Sequence, residues 1–343
     1  MLKNKVLLLF TNHRVAEKLW PIIPILHEEY IIDIFLVGLF SPDTPWVGDI
    51  DERNVYIDKY KKYINNIIEG PGIRYHGDTI KTDLSQYIDI SSYQFVIYDD
   101  NRKMQEFGIP DFYYKCKQHG VFVIGNSHGN ENNPHNEIGV SYDYRMDFES
   151  GGIPANDTLK NVVKNPKHIL IITNFLSNRN SVFPINFDHN FVSECGVIEL
   201  ANHYNLPIKV KIKTRLDKTD YENDVSYVKS LLECDVVTNT DNIDQLIADS
   251  ALVISSPSTL CFKPIQLGIP TILINGSGAI GLYKTYPGLV NLNKQEIFNN
   301  IQKQVYNGTY TEYIKQTIKG GESFNSSQCY IKKLKQVLNE NNI

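Results

Sequence analysis

The sequence predicts an α/β protein built as two parallel-sheet domains. Three observations carry that reading. Short apolar runs alternate with amphipathic stretches along the whole chain, and buried parallel strands read as continuous apolar runs. The chain is 343 residues long, which at about 150 residues per domain suits two domains. A glycine- and proline-punctuated segment near the middle interrupts the alternation, which then restarts in the same order.

Each element has its own signal. Residues 6–10, 31–37, 95–98 and 121–124 are runs rich in β-branched, aromatic and aliphatic side chains, the composition of strands. Residues 73–75 form a weaker candidate. Apolar residues recur at helical spacing over 15–29, 55–68 and 111–119. Gly151, Gly152, Pro154 and Pro166 then punctuate a segment that reads as a linker, residues 151–166. Beyond it, strands are expected at 168–173, 208–213, 236–237, 252–255 and 271–274. Helices are expected at 192–204, 225–231, 242–248, 259–267 and 294–306, with a last one at 328–338. Strand–helix alternation implies βαβ units. The expected organisation is a first domain over 1–150, the linker, a second domain over 167–326, and a C-terminal helical segment over 327–343.

Composition excludes several classes. There are 34 Lys and Arg against 39 Asp and Glu, a net charge of −5, which argues against a nucleic-acid partner. The charge is uneven: residues 1–160 sum to −7 and residues 161–343 to +2, so a phosphorylated ligand suits the second half better. The five cysteines, Cys116, Cys195, Cys234, Cys261 and Cys329, are odd in number and form no CxxC pair. That suits a reducing compartment and disfavours a disulfide framework or a cysteine-rich zinc site. The apolar run near the start is short and has no small-residue cleavage site after it, and no stretch has the length of a membrane span. The expected location is the cytoplasm, with attachment at a membrane surface left open.

The most informative stretch is 246–275, LIADSALVISSPSTLCFKPIQLGIPTILIN. A strand over 252–255 is followed by Ser256, Pro257, Ser258 and Thr259, and then by a helix. Gly268 suits the residue just past a helix end, and Pro270 stops any continuation. In an open α/β sheet, ligands sit beyond the carboxyl ends of the strands. Ser255, Ser256, Ser258 and Thr259 fall at that edge. Free backbone N–H groups and the dipole at a helix start attract anions by about 0.3–1 kcal/mol, and hydroxyls add donors for phosphate oxygens. The plain alternative is that Ser258 or Thr259 merely caps the helix.

The run Asp-Ser-Ala-Leu-Val-Ile-Ser-Ser-Pro-Ser-Thr-Leu, followed by Lys-Pro-Ile-Gln-Leu-Gly-Ile-Pro-Thr-Ile-Leu-Ile, resembles the C-terminal donor-site signature of GT-B glycosyltransferases. It is most similar to the branch holding CDP-glycerol glycerophosphotransferases, capsule-polymer transferases and UDP-N-acetylglucosamine 2-epimerases. The resemblance implies two Rossmann-like parallel-sheet domains facing a cleft, with the nucleotide donor on the second and the acceptor on the first. It also implies a last helix that crosses back to the first domain. Many members carry an acidic residue after the strand, where this chain has Ser255-Ser256-Pro257.

Further constellations sit at other strand ends. Gly125-Asn126-Ser127-His128-Gly129-Asn130-Glu131 follows the strand at 121–124 and resembles the HG element at which related transferases place a catalytic histidine. A histidine with a pKa near 6.5 can take a proton from an acceptor hydroxyl, and Glu131 is near enough in sequence to orient His128. The alternative is a loop histidine bonded to backbone. His135 is a weaker rival. Pro134 breaks any helix that would align His128, Glu131 and His135 on a metal. The same residues spell GxSxG around Ser127, but no helix pattern follows, as a nucleophile elbow requires. Lys213 and Arg215 lie at the end of the strand at 208–213, and Arg can hold a pyrophosphate bidentately. Asn12, His13 and Arg14 follow the first strand, and Asn174 occupies the matching turn of the second domain; these are candidate cleft or acceptor residues. A GxGxxG at Gly276, Gly278 and Gly281 is a weak match, interrupted soon after by Pro287. Asp49-Ile50-Asp51 reads as an acidic loop rather than a metal pair.

The expected function is a metal-independent transferase. It would move a sugar or polyol phosphate from a nucleotide-activated donor to an acceptor hydroxyl such as one on a glycan, with no cofactor beyond the donor as co-substrate. Two alternatives stay open: a nucleotide-sugar 2-epimerase of the same fold, and a non-catalytic nucleotide-sugar-binding protein.

Overall fold

The computed structural model describes residues 4–11, 16–38, 41, 47–73, 80–99, 108–127, 141–173, 189–212, 218–237, 242–255, 258–274, 286, 288–290, 294–302 and 309–343. The chain divides into two compact units. One comprises Met1–Asp157 and Ile318–Ile343; the other is Thr158–Thr317.

Among the described residues, each unit holds a six-stranded sheet, and every strand pairing is parallel. The first comprises β1 (Asn4–Phe10), β2 (Tyr30–Gly38), β3 (Asn66–Gly72), β4 (Phe95–Tyr98), β5 (Phe122–Asn126) and β6 (Tyr144–Met146). Their spatial order is β3-β2-β1-β4-β5-β6. The second comprises β7 (His168–Thr173), β8 (Ile208–Ile212), β9 (Asp235–Val237), β10 (Ser250–Ser255), β11 (Thr271–Ile274) and β12 (Leu289–Val290). Their order is β12-β11-β10-β7-β8-β9, the same Rossmann-like winding read from the other edge.

The central strand β1 is buried on both faces from Val6 to Phe10, which is why that run is apolar throughout. Val6, Leu8 and Phe10 face one layer, packed with Tyr330, Ile331, Leu334, Val337 and Leu338 of the last helix, Ser326–Glu340. Leu7 and Leu9 face the other layer, with Phe112 and Cys116 of helix Ile109–Gln118. Each fully buried aliphatic side chain contributes about 1.5–3 kcal/mol, so these contacts hold the chain's end on the first unit.

The return to the first unit begins at Ile318, earlier than the expected 327. Local chemistry accounts for it. The Lys319 N–H donates to the Phe148 carbonyl (2.9 Å). Gly152 has φ +73°, and a Cβ there would lie 2.3 Å from the Lys319 carbonyl oxygen. The Asp157 carboxylate accepts from the Ser326 and Ser327 N–H groups at 2.8 and 2.7 Å, pairing two of the donors that a helix start leaves open. The segment read as a linker is partly ordered: a 3-10 stretch runs over Pro154–Asn161, and helix Phe148–Gly151, opened by a capping box from Asp147, ends at the segment's first residue.

Several elements differ from their sequence signals. Within the helix expected at 15–29, whose first residue lies outside the described residues, Trp20–Ile22 form a 3-10 turn and Ile23–His27 a short helix, because Pro21 and Pro24 each restart the helix. The helix expected at 55–68 is Val47–Tyr60. It contains Asp49-Ile50-Asp51, which is therefore helical and not a loop. Residues 66–72 are instead the edge strand β3, where Pro71 is tolerated because an edge has a free side. Gly196, at φ +62°, splits the helix expected at 192–204 into His189–Glu194 and Val197–Tyr204. The short strands β6 and β12 and helix Thr309–Thr317 lacked a distinct signal.

His168 opens β7 and is buried. Its Nε2 lies 3.1 Å from the Leu246 carbonyl oxygen and 3.1 Å from Ser250 Oγ. Burial lowers its pKa, and the Lys209 charge on β8 and the nearby Lys167 add to the fall; the Leu246 carbonyl and Asp249 oppose it without prevailing. The unfolded chain therefore binds a proton here at a pH where the folded chain does not. This contribution to stability is complete above about pH 6.5 and is lost as pH falls toward the folded pKa, by at most about 1.4 kcal/mol per pH unit. Denaturant titrations between pH 7 and pH 5 should show that decline in the native protein and a flatter profile in His168→Gln.

Candidate active site at the carboxyl edge of the second sheet

In both sheets the strand order reverses once: between β1 and β4 in the first, and between β7 and β10 in the second. Crossover connections leave such a pair of strands on opposite faces, so a crevice opens at their carboxyl ends.

In the second unit, β7 ends at Thr173 and β10 at Ser255, both buried. Ser255 pairs with Ile172, the residue before Thr173, so the two lie at one level of the edge. Ser258 opens a 3-10 turn, Thr259–Cys261, that runs into helix Phe262–Gln266. Its backbone is extended, with φ −155° and ψ 161°, and its side chain makes no capping hydrogen bond. Its carbonyl oxygen accepts from the Cys261 N–H (3.1 Å) and thiol (2.7 Å), which fixes the turn. Gly268 ends the helix at φ +68°.

Among the described residues, Thr173 Oγ1 and Ser258 Oγ are both buried without a hydrogen-bond partner. Each hydroxyl offers one donor and two acceptor lone pairs, and a buried polar atom left unpaired costs about 1–3 kcal/mol. Two such hydroxyls therefore stand at the carboxyl edge of the second sheet. The plain alternative for Ser258, a helix cap, does not describe its side chain. The helix it precedes is five residues long after one 3-10 turn, so hydroxyl chemistry outweighs the macrodipole here.

Lys263 lies on that short helix and is buried, with its Nζ 2.5 Å from Asp244 Oδ1. Asp244 Oδ2 accepts from Thr158 Oγ1 at 2.7 Å. This ion pair, buried at its Lys263 end, fastens the helix behind Ser258 to helix Ile243–Ala248 and to the first residue of the unit. Along β8, Ile208, Val210 and Ile212 are buried while Lys209 and Lys211 are half-exposed, the two-sided pattern read from the sequence.

The corresponding edge of the first unit is internally bonded. Asp99, just after β4, is fully buried and accepts from the Thr11 N–H (2.8 Å) and hydroxyl (2.9 Å), bridging β4 to β1 across the reversal. β5 ends at Asn126, and the Ser127 N–H donates to the Met146 carbonyl at 3.0 Å.

Of the residues singled out in the sequence, Ser255, Ser258, Thr259 and Ser127 are described, and the first three share one edge of the second unit. Asn12, His13, Arg14, His128, Glu131, His135, Asn174, Lys213, Arg215, Ser256 and the glycines 276, 278 and 281 lie outside the described residues. Sequence reasoning passed over Thr173, Lys263 and Asp99. Each had a faint signal: a hydroxyl ending the apolar run HILIIT, one cation within the apolar stretch TLCFKPIQL, and a carboxylate directly after FVIY. Among the described residues, no three His, Cys, Asp or Glu side chains gather as a metal site, and no helix is long and apolar enough to cross a membrane.

No family model matches the chain, and no curated protein matches it by sequence. Solved structures do match. The UDP-bound MnaA protein of S. aureus superposes with a TM-score of 0.61 at 12% identity, over 98% of this chain and 97% of that one. The UDP-GlcNAc 2-epimerase of Neisseria meningitidis, bound to UDP-GlcNAc, gives 0.59 at 12%, over 97% and 100%. The Anabaena protein HepE, in complex with UDP and glucose, gives 0.53 at 11%, over 99% of each chain. The chain has a GT-B fold, composed of two Rossmann-like units. At such identities the likeness is one of fold.

Two substitutions separate the unpaired hydroxyl from the ion pair behind it. Ser258→Ala removes no internal hydrogen bond, so the denaturation midpoint of the ligand-free protein should hold or rise. Lys263→Met leaves the half-buried Asp244 carboxylate without its cation and should lose about 1–3 kcal/mol in chemical denaturation.

Proposed function

We infer that this protein is an enzyme acting on a UDP-linked sugar, with the diphosphate held by the second unit through Ser258, Thr173, Ser255 and Thr259. The observation that carries this reading is the pair of buried, unpartnered hydroxyls at the carboxyl edge beside the strand-order reversal. They can donate to phosphate oxygens at no loss of internal bonds, and such donors stabilise the charge that develops on a departing nucleotide. The UDP and UDP-GlcNAc complexes of fold neighbours support the choice of nucleotide. Ser256, Lys213 and Arg215 are further donor candidates by sequence.

In the transferase form, His128 accepts the proton of an acceptor hydroxyl, and Glu131 orients the ring. The oxygen attacks the anomeric carbon as the bond from that carbon to the diphosphate oxygen breaks, and UDP leaves with its charge met by the hydroxyls. Asn12, His13, Arg14 and Asn174 are the candidates for holding the acceptor. The reading implies no metal in the reacting centre. A second reading is a UDP-GlcNAc 2-epimerase, which needs no acceptor. It is favoured by the N. meningitidis enzyme, whose full length superposes on 97% of this chain.

Incubation with UDP-GlcNAc alone separates the two. Accumulation of the 2-epimer without acceptor supports the epimerase. Release of UDP only when a hydroxyl acceptor is added supports the transferase. Tight UDP binding without turnover under either condition would reduce the protein to a binder and overturn the enzymatic reading. By calorimetry with UDP, the double variant Thr173→Val, Ser258→Ala should lose about 1.5–3 kcal/mol for each bond to a charged oxygen; unchanged affinity would remove both hydroxyls from the site. His128→Ala should lower kcat by about 10²–10⁴ while UDP affinity stays near normal. A fall in UDP affinity instead would make His128 a phosphate ligand.

A further inference from the structure

A buried hydrogen-bond chain runs from the last helix into the first sheet. The Tyr330 hydroxyl donates to Asn126 Oδ1 at 2.9 Å, and Asn126 Nδ2 donates to the Tyr98 carbonyl oxygen at 2.5 Å. Tyr330, Asn126 and Tyr98 are all buried. Burial holds the Tyr330 hydroxyl well above its ordinary pKa, so it stays a donor at neutral pH. Asn126 is the last residue of β5 and Tyr98 the last of β4. Asp99 follows Tyr98 directly and grips Thr11, the residue after β1. Three neighbouring strands therefore end on bonded groups, and a residue some two hundred positions along the chain supplies the first donor.

The bonds are specific in direction. The Asn126 side chain spends its carbonyl on Tyr330 and its amide on Tyr98, so its orientation is set by both. Ser127, next in the chain, is fixed by its own N–H to the Met146 carbonyl. A phenylalanine at 330 would fill the same space and leave Asn126 Oδ1 without its donor. The ring's packing is separable from the hydroxyl's bond, because the helix is held by Ile331, Leu334, Val337 and Leu338 as well.

We propose that Tyr330 is a positioning residue: through Asn126, its hydroxyl fixes the carboxyl end of β5 and the Asn126–Ser127 backbone that leads into the first unit's candidate residues. The inference concerns the first unit alone. It rests on the proposed function only for its effect on turnover.

The test uses the full chain and three forms: native, Tyr330→Phe, and Lys335→Ala. Lys335 lies on the same helix, on its exposed side, ion-paired to Glu29, and serves as a control for helix docking. Amide hydrogen exchange of peptides covering 122–127 reads the geometry without any ligand. Tyr330→Phe should speed exchange there by about tenfold, leave peptides covering β10 unchanged, and differ from Lys335→Ala. In turnover of UDP-GlcNAc, Tyr330→Phe should lower kcat by about 10- to 100-fold, the penalty of a displacement near 1 Å, with UDP affinity unchanged. Exchange at 122–127 equal to native, or equally raised in Lys335→Ala, would overturn the proposal. Absence of turnover in the native protein would overturn the functional reading instead, and the exchange comparison would still decide the role of Tyr330.

Discussion

The single reversal of strand order in each sheet is the constraint on which the remaining features depend. Parallel strands joined by right-handed crossovers place successive helices on one face. A sheet that grows in both directions from its first strand must therefore send helices to opposite faces at one point. There the carboxyl ends of two strands stand uncovered by their own connections. The chain meets this constraint twice, at β1/β4 and at β7/β10. Buried polar residues stand at or just past those ends: Thr11 and Asp99 in one unit, Thr173 and Ser255 in the other.

The two edges answer the constraint differently. In the first unit, the described polar groups at the edge bond one another, with Asp99 on Thr11 and Tyr330 on Asn126 on the Tyr98 carbonyl, while the Tyr98 hydroxyl is buried without a partner. One of those bonds comes from the last helix, through the Tyr330 hydroxyl. In the second unit, two hydroxyls stay unpaired while the structure around them is bonded: Cys261 holds the Ser258 carbonyl, and Lys263 holds Asp244. Unpaired buried hydroxyls cost about 1–3 kcal/mol each in a fold whose whole stability is on the order of 5–15 kcal/mol. Such a cost is offset when the hydroxyls serve a ligand.

Much of this was legible from residues. β1, β4, β5, β7, β10 and β11 stood out because a strand buried on both faces must be apolar at every position, and a run such as VLLLF has no helical reading at that length. β3 was not legible: NIIEGPG continues the helical spacing before it, and its place on the sheet edge comes from pairing with β2. Prolines 21 and 24 mark helix starts as readily as helix ends, which is why one long helix was expected where two short pieces stand. At the site, Ser255, Ser258 and Thr259 were visible because hydroxyls cluster after a buried strand. Thr173 was not, since a threonine ending a strand is ordinary until its hydroxyl is found without a partner. The Asn126–Tyr330 bond lay beyond sequence reasoning, because nothing local to either residue points to the other.

At Ser255-Ser256-Pro257 the sequence departs from the signature it resembles, with hydroxyls where many members carry an acidic residue. A carboxylate at this edge would repel a diphosphate, at roughly 1 kcal/mol for unit charges 4 Å apart in water and several times that in a sheltered site. The chain carries hydroxyls there instead. Among the described residues, the nearby cation Lys263 is already paired with Asp244 at 2.5 Å, so its charge is largely answered within the unit. What Thr173 and Ser258 themselves offer an anion is a pair of neutral donors. Neutral donors are screened by salt far less than surface charges are. On the proposed reading, the share of nucleotide affinity that Thr173 and Ser258 supply is accordingly a matter of hydrogen-bond geometry, and that geometry is what the Lys263–Asp244–Thr158 bonds and the Cys261 contacts hold in place.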